Sequence, residues 1–225
     1  MPIDYSTPLV TIPWSPDLDM RKVSIANALS VINVEAADPR TRPILEDLLG
    51  PPRGGWGLDR PYGAGGVSTC SMVCLGLLRR LGVDCLDILD GYGDDIGTGF
   101  RVARDWGRGL LPRPAWITPI HGLRPEPGDM IDLRPKPRAK DRSNHTEIVI
   151  GWEEQGGQTM IVCVAGGQVG ARGLQAIHLV RRPWVERAGE VPTSGGRPVD
   201  GWLDVDLVPY VGPVTVPTGS WEGAR

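Results

Sequence analysis

Two alternating runs, His145–Trp152 and Thr159–Ala165, flank the tetrapeptide Gln155-Gly156-Gly157-Gln158. Paired glycines supply the left-handed backbone that a tight hairpin turn needs. Alternation at period two aims one side of each strand at a core. A hairpin here makes the surrounding sheet antiparallel. Met130–Leu133 before it and Gln175–Val180 after it read as further strands, so a meander is expected. One more strand is predicted over Leu203–Val211.

The first half of the chain carries the helical period instead. Ile25, Leu29 and Ile32 predict a helix from Arg21 to about Val34, and a shorter one spans Ile44–Leu49, stopped by Gly50-Pro51-Pro52. Cys70, Val73, Cys74, Leu77 and Leu81 form one stripe of a third helix, which Ser68 or Thr69 can cap and Gly82 ends. Thr98–Trp106 reads as another short helix before a Pro-rich connection from Leu111 to Pro127. N-terminal helices packed on an antiparallel sheet make the expected class α+β. The organisation read from this is an N-terminal arm and helices over 1–50, a core over 51–185, and a Gly/Pro-rich extension over 186–225 that packs on the core. Within the first part, residues 1–19 are Pro-rich and read as an arm.

Composition narrows the function classes. With 31 Gly and 22 Pro in 225 residues, many turns and long connections are expected. A net charge of −3 gives no support for a dedicated nucleic-acid binder. Eight Trp against one Phe could line a polymer groove, but Trp as core filler is the favoured reading. The N-terminus shows no basic region followed by an apolar run, and no stretch is long enough for a membrane helix. Cys70, Cys74, Cys85 and Cys163 are not spaced as a disulfide framework.

Chemistry concentrates on two residues. Cys70 stands at a helix N-terminus, where the positive end of the helix dipole favours a thiolate. Cys74, Cys85 and Cys163 sit in apolar surroundings and read as packing. Of the three histidines, His121 lies in a Pro-rich connection and His178 near a strand end beside Arg181 and Arg182. His145 follows a polar loop and opens a strand, the placement of a held general base. A third group is expected to orient that imidazole. Gln168 is the candidate, with Asp132 and Glu147 behind it. A metal site from Cys70, Cys74, His121 and His145 lacks a second closely spaced ligand pair, so neither metal nor cofactor is expected.

Thr69-Cys70-Ser71, with Val73, Leu77 and Leu78 and then Leu81-Gly82-Val83, resembles the nucleophile helix of NlpC-type peptidoglycan peptidases. Pro127-Gly128-Asp129-Met130 followed by His145 is similar to their Pro-Gly-Asp strand and histidine strand, a pattern shared with CHAP amidases. The likeness covers roughly residues 60–182; Thr69 stands where those enzymes have Asp, and Met72 where they have Gly. The resemblance implies a papain-like fold and a cysteine peptidase or amidase that cuts amides in the peptide stems of bacterial peptidoglycan. It implies Cys70 as nucleophile and His145 as base, with Tyr62 near the oxyanion. A thiol enzyme of the same fold acting on proteins or small amides, such as a deamidase or acyltransferase, is the alternative. A non-catalytic binding module is another.

A wall-cleaving enzyme made in the cytoplasm without a signal peptide needs a route other than general secretion. A phage lysin released by a holin fits, as does an antibacterial effector injected by a machine such as the type VI system. An effector implies a cognate immunity protein as partner. The insert Arg134–Arg142 holds five basic residues and one acid. It could contact wall carboxylates, though a solvated loop is the favoured reading.

Overall fold

The computed structural model describes residues 8–50, 58–61, 69–83, 115–120, 122–137, 144–208, 210 and 212–218. Three helices lie in its first part: α1 (Met20–Leu29), α2 (Arg42–Leu49) and α3 (Cys70–Arg80). The Asp19 side chain starts α1 by accepting a hydrogen bond from the Lys22 N–H at 3.1 Å. The expected end at Val34 is corrected, since α1 stops at Leu29. Past it, Asn33 takes a left-handed conformation (φ 62°) and its N–H donates to the Ile177 carbonyl. Ile177 N–H returns a bond to Val34, and Ala36 N–H donates to Gln175. Pairing with a strand thus outbids a further helical turn.

α3 is buried on nearly all sides, not on one stripe. Cys70 through Leu78 are all buried, and only Arg79 of the helix is half-buried. A helix apolar all round belongs between layers. α2 covers one side and the sheet the other. Gly76 makes the α2 approach feasible, because a Cβ there would run into the Leu48 carbonyl oxygen. Leu75, Leu77, Leu78 and Leu81 are at most 2% exposed. Burial of each contributes about 1.5–3 kcal/mol before entropy is charged against it.

The strands are β1 (Leu9–Ile12), β2 (Trp116–Ile117), β3 (Met130–Leu133), β4 (His145–Gln155), β5 (Gln158–Val169), β6 (Gln175–Val185), β7 (Thr193–Ser194), β8 (Arg197–Leu203) and β9 (Val214–Pro217). The hairpin turn is as its sequence predicts: Gln155 pairs with Gln158, and Gly156 and Gly157 have φ of 57° and 77°. β3 to β6 form the expected meander. The sheet does not end there, because β7 pairs with both β6 and β8, and β8 returns to β3. Strands β3 through β8 therefore close into a ring, with β2 added outside on β8.

Closure gives the sheet two cores. Inside the ring lie Ile131, Leu133, Val149, Ile161, Cys163, Trp184, Val199 and Trp202. On the outer side Met130, Ile148, Val164 and Ile177 meet the helices. Trp116, Trp184 and Trp202 are core filler, as favoured, whereas Trp14 is exposed and stacks on Tyr210.

Both ends of the chain differ from the sequence reading. The strand expected over Leu203–Val211 is corrected: Leu203 ends β8, and Val205–Leu207 form a 3-10 turn. Residues 9–12 of the supposed arm are β1, which pairs with β9 near the C-terminus. A boundary at 185 falls inside the closed ring. The predicted helix Thr98–Trp106 lies outside the described residues. The architecture is mixed α and β, with a large antiparallel sheet and three helices among the described residues.

Candidate active site

Cys70 is the first residue of α3, and it is 4% exposed. Its position is set from the residue before. Thr69 was expected as a possible cap, yet its side chain makes no capping bond to the helix. Its hydroxyl donates instead to Gln175 Oε1 at 2.7 Å, while Thr69 N–H donates to the same oxygen at 3.2 Å. Gly167 N–H in turn donates to Thr69 Oγ1 at 3.1 Å. Three bonds thus pin the helix start to β5 and β6, and all the groups are buried. Gly166 completes the fit, since a Cβ there would press on Val73. Ser68 lies outside the described residues.

His145 opens β4 opposite Leu133, at the same end of the sheet as Gln168 on β5 and Gln175 on β6. The residue is 8% exposed, and its ring is hydrogen-bonded to Cys70. Burial pushes the imidazole pKa down, but the hydrogen bonds to Cys70 and Glu147 and their negative charge outweigh it and lift the value to about 9. Nε2 faces Glu147 Oε1 at 2.9 Å. That leaves Nδ1 as the nitrogen for the thiol proton.

Glu147 is fully buried inside the ring. Besides His145, its Oε1 receives Arg182 Nε at 2.7 Å and Arg182 Nη2 at 2.5 Å. Burial alone would raise the carboxyl, yet the His145 and Arg182 cations hold it down at about 2. Alternation separates this pair from its neighbour: Thr146 lies by Cys74 on the helix side, while Glu147 lies by Cys163 on the inner side.

The structure brings Cys70, His145 and Gln168 together, and places Glu147, which the sequence ranks behind Gln168, closer to the imidazole. Gln168 Nε2 lies 3.3 Å from His145 Nε2 and donates to the Gly166 carbonyl at 3.2 Å. The imidazole Nε2 cannot donate to Glu147 and accept from Gln168 at once. A carboxylate at 2.9 Å is the stronger partner, so the proton sits on Nε2 facing Glu147. Asp132 accepts from Asn144 Nδ2 at 3.0 Å. Glu147 had a signal in the sequence: it stands two residues from His145, hence on the same side of the strand. Its weight became evident only when Arg182 met it across the ring.

The other thiols differ from Cys70 in setting. Burial pushes the Cys74 and Cys163 thiols well up, which suits packing. His178 lies on β6 opposite Ala165. Tyr62, His121 and Cys85 lie outside the described residues. Of the basic insert, Arg134 pairs with Asp200 at 2.5 Å, and residues 138–142 are likewise outside.

Pro127-Gly128-Asp129 is a structural latch. Gly128 (φ 103°) packs against Arg21 of α1, where a Cβ would lie 3.0 Å from the Arg21 Cα, and its carbonyl accepts from Ser24 Oγ at 2.8 Å. Asp129 Oδ1 pairs with Arg21 Nη1 at 2.6 Å, and Oδ2 accepts from Glu126 N–H at 2.8 Å. Arg21 also pairs with Asp204 and Asp206, so one guanidinium joins α1, β3 and the turn after β8. The latch sets β3, and β3 sets the register of His145.

Among the described residues, no group of three or more His, Cys, Asp or Glu side chains could hold a metal ion, and no helix is long and apolar enough to cross a membrane. No family model, curated protein or solved structure matches the chain.

Proposed function

We propose that the protein is a cysteine hydrolase of papain-like type that cleaves amide bonds in peptidoglycan stem peptides. The observation that carries the reading is the run of contacts from Cys70 through His145 to Glu147 at one end of the sheet. Nucleophile, base and orienting carboxylate in that order are what thiol acyl transfer needs. The wall substrate rests on the resemblance of Thr69-Cys70-Ser71 and Pro127-Gly128-Asp129 to NlpC-type and CHAP enzymes.

In this mechanism His145 Nδ1 takes the Cys70 proton, and the imidazolium is held by Glu147. The thiolate attacks the amide carbonyl, and the carbonyl oxygen becomes an oxyanion. The Cys70 N–H at the helix start donates to it, as would Tyr62 by similarity; loss of one such donor costs about two to three orders of magnitude in rate. His145 protonates the departing amine. Water, deprotonated by the same imidazole, then cleaves the thioester and releases the acid.

Delivery to the wall by a phage-type lysis system or by an antibacterial secretion machine is part of the proposal, and the latter requires an immunity protein. Mass spectrometry of purified peptidoglycan after digestion by the wild type and by Cys70→Ala tests the reading. New amine and carboxylate ends are expected with the wild type alone. Identical digests would overturn it. Unchanged wall fragments with turnover of a protein or small amide would instead favour the deamidase or acyltransferase reading.

A further inference from the structure

Glu147 Oε1 carries three contacts, one from His145 Nε2 and two from Arg182. Here a second cation competes with the imidazole for one atom. Arg182 reaches that oxygen from β6, two strands away from β4, across the inside of the ring. The guanidinium is mostly buried, so water screens its charge little.

We infer that Arg182 is an electrostatic positioning residue: by sharing Glu147 Oε1 with His145, it sets the pH range over which the Cys70–His145 pair is charged. The inference rests on the thiol-hydrolase reading for its catalytic meaning, though not for its measurement. Arg182 acts in two ways. It fixes the Glu147 carboxylate in place, so that His145 holds its proton on Nε2 and turns Nδ1 to the thiol. It also places a positive charge near the imidazolium, which tempers the proton affinity that Glu147 confers.

The charged and titratable groups around this centre come from several elements. From α3 come Cys70 and Cys74, from β3 Asp132, from β5 Cys163 and from β6 Arg182. β8 carries Asp200, which is engaged by Arg134. Among these described groups, Arg182 is the cation bonded directly to Glu147. Removing a cation raises the pKa of every nearby group, and removing an anion lowers it. The two partners of the pair must therefore act in opposite directions on His145.

Nuclear magnetic resonance titration of the imidazole signals, with His145 identified by its loss in His145→Gln, reads this directly. Glu147→Gln is expected to lower the His145 midpoint by about one pH unit or more, and Arg182→Gln to raise it. A structural filler would change stability without moving the midpoint upward. Arg182→Gln leaves Glu147 buried without its cation and can unfold the chain. The same substitution is therefore also made in the Glu147→Gln background, where it must raise the midpoint relative to Glu147→Gln alone. A midpoint that stays or falls in a folded Arg182→Gln protein, or in the double variant, overturns the inference. The titration uses no substrate, so inactivity on wall fragments counts against the hydrolase reading and leaves this result legible.

Discussion

At the scale of single residues, charge at His145 links stability to the proposed activity. Its pKa is lifted from the ordinary 6.5 to about 9, so the folded state favours the imidazolium. The stabilisation is complete below the ordinary value and is lost as pH rises through about 9. Glu147 works the other way: its contribution is complete above the ordinary 4.5 and lost as pH falls through about 2. If the protein is the proposed hydrolase, its rate is expected to fall on the alkaline side near pH 9, with a matching drop in the denaturant midpoint. A rate profile and urea unfolding of the wild type and His145→Gln check this. The variant should lose the alkaline stability drop.

Thr69 makes a second residue-level prediction. Thr69→Val keeps the shape but removes the hydroxyl between Gln175 Oε1 and Gly167 N–H. A destabilisation of about 1–3 kcal/mol is expected from the buried groups left unpaired, with lower activity because the Cys70 helix start is no longer pinned. Denaturant unfolding measures the first and turnover the second. At this scale the sequence was informative about Cys70 and His145, because each stands at an element boundary. It was less so about Glu147. A glutamate in a strand reads as solvent-facing until the arginine that neutralises it is known to lie across the ring.

At the scale of elements, α3 shows what periodicity conveys and what it leaves out. The stripe Cys70, Val73, Cys74, Leu77 and Leu81 located the helix and its sheet-facing side. The far side, with Leu75 and Leu78, is also buried because α2 lies there, and Gly76 allows that approach. Gly76→Ala would normally favour a helix. Here the added methyl meets the Leu48 backbone, so a loss of about 1–3 kcal/mol is expected from overpacking. Thermal unfolding decides the sign. A rise in the midpoint would mean that α2 and α3 are not in close contact. The end of α1 was misplaced for a similar reason: Asn33 turns the chain toward β6, a partner that lies far off in sequence.

At the scale of the whole molecule, closure of the ring is the largest difference from the sequence reading. The four strands of the meander were evident from alternation and the Gly156-Gly157 turn. β7 has two residues, and β8 contains Pro198 and Gly201, so neither presents a clear alternating run. Their pairing joins the last part of the chain to β3, and β9 joins it to β1. Removal of residues 186–225 is therefore expected to abolish folding, since it opens the ring and strips Val199 and Trp202 from the inner core. Loss of near-ultraviolet circular dichroism would register this. A truncated chain with native signals would contradict the closed architecture.

The molecule as a whole serves to hold a thiol beside an imidazole. α3 brings Cys70 to one end of the sheet, the Arg21 latch and β3 set β4, and the ring encloses Glu147 beneath His145. The most direct measurement is the thiolate absorbance of the wild type minus that of Cys70→Ala as pH is varied, repeated with His145→Ala. A difference signal already present at neutral pH, and lost when His145 is removed, is the predicted result. A Cys70 that ionises only in the ordinary thiol range of about 8.5, with or without His145, would contradict the account.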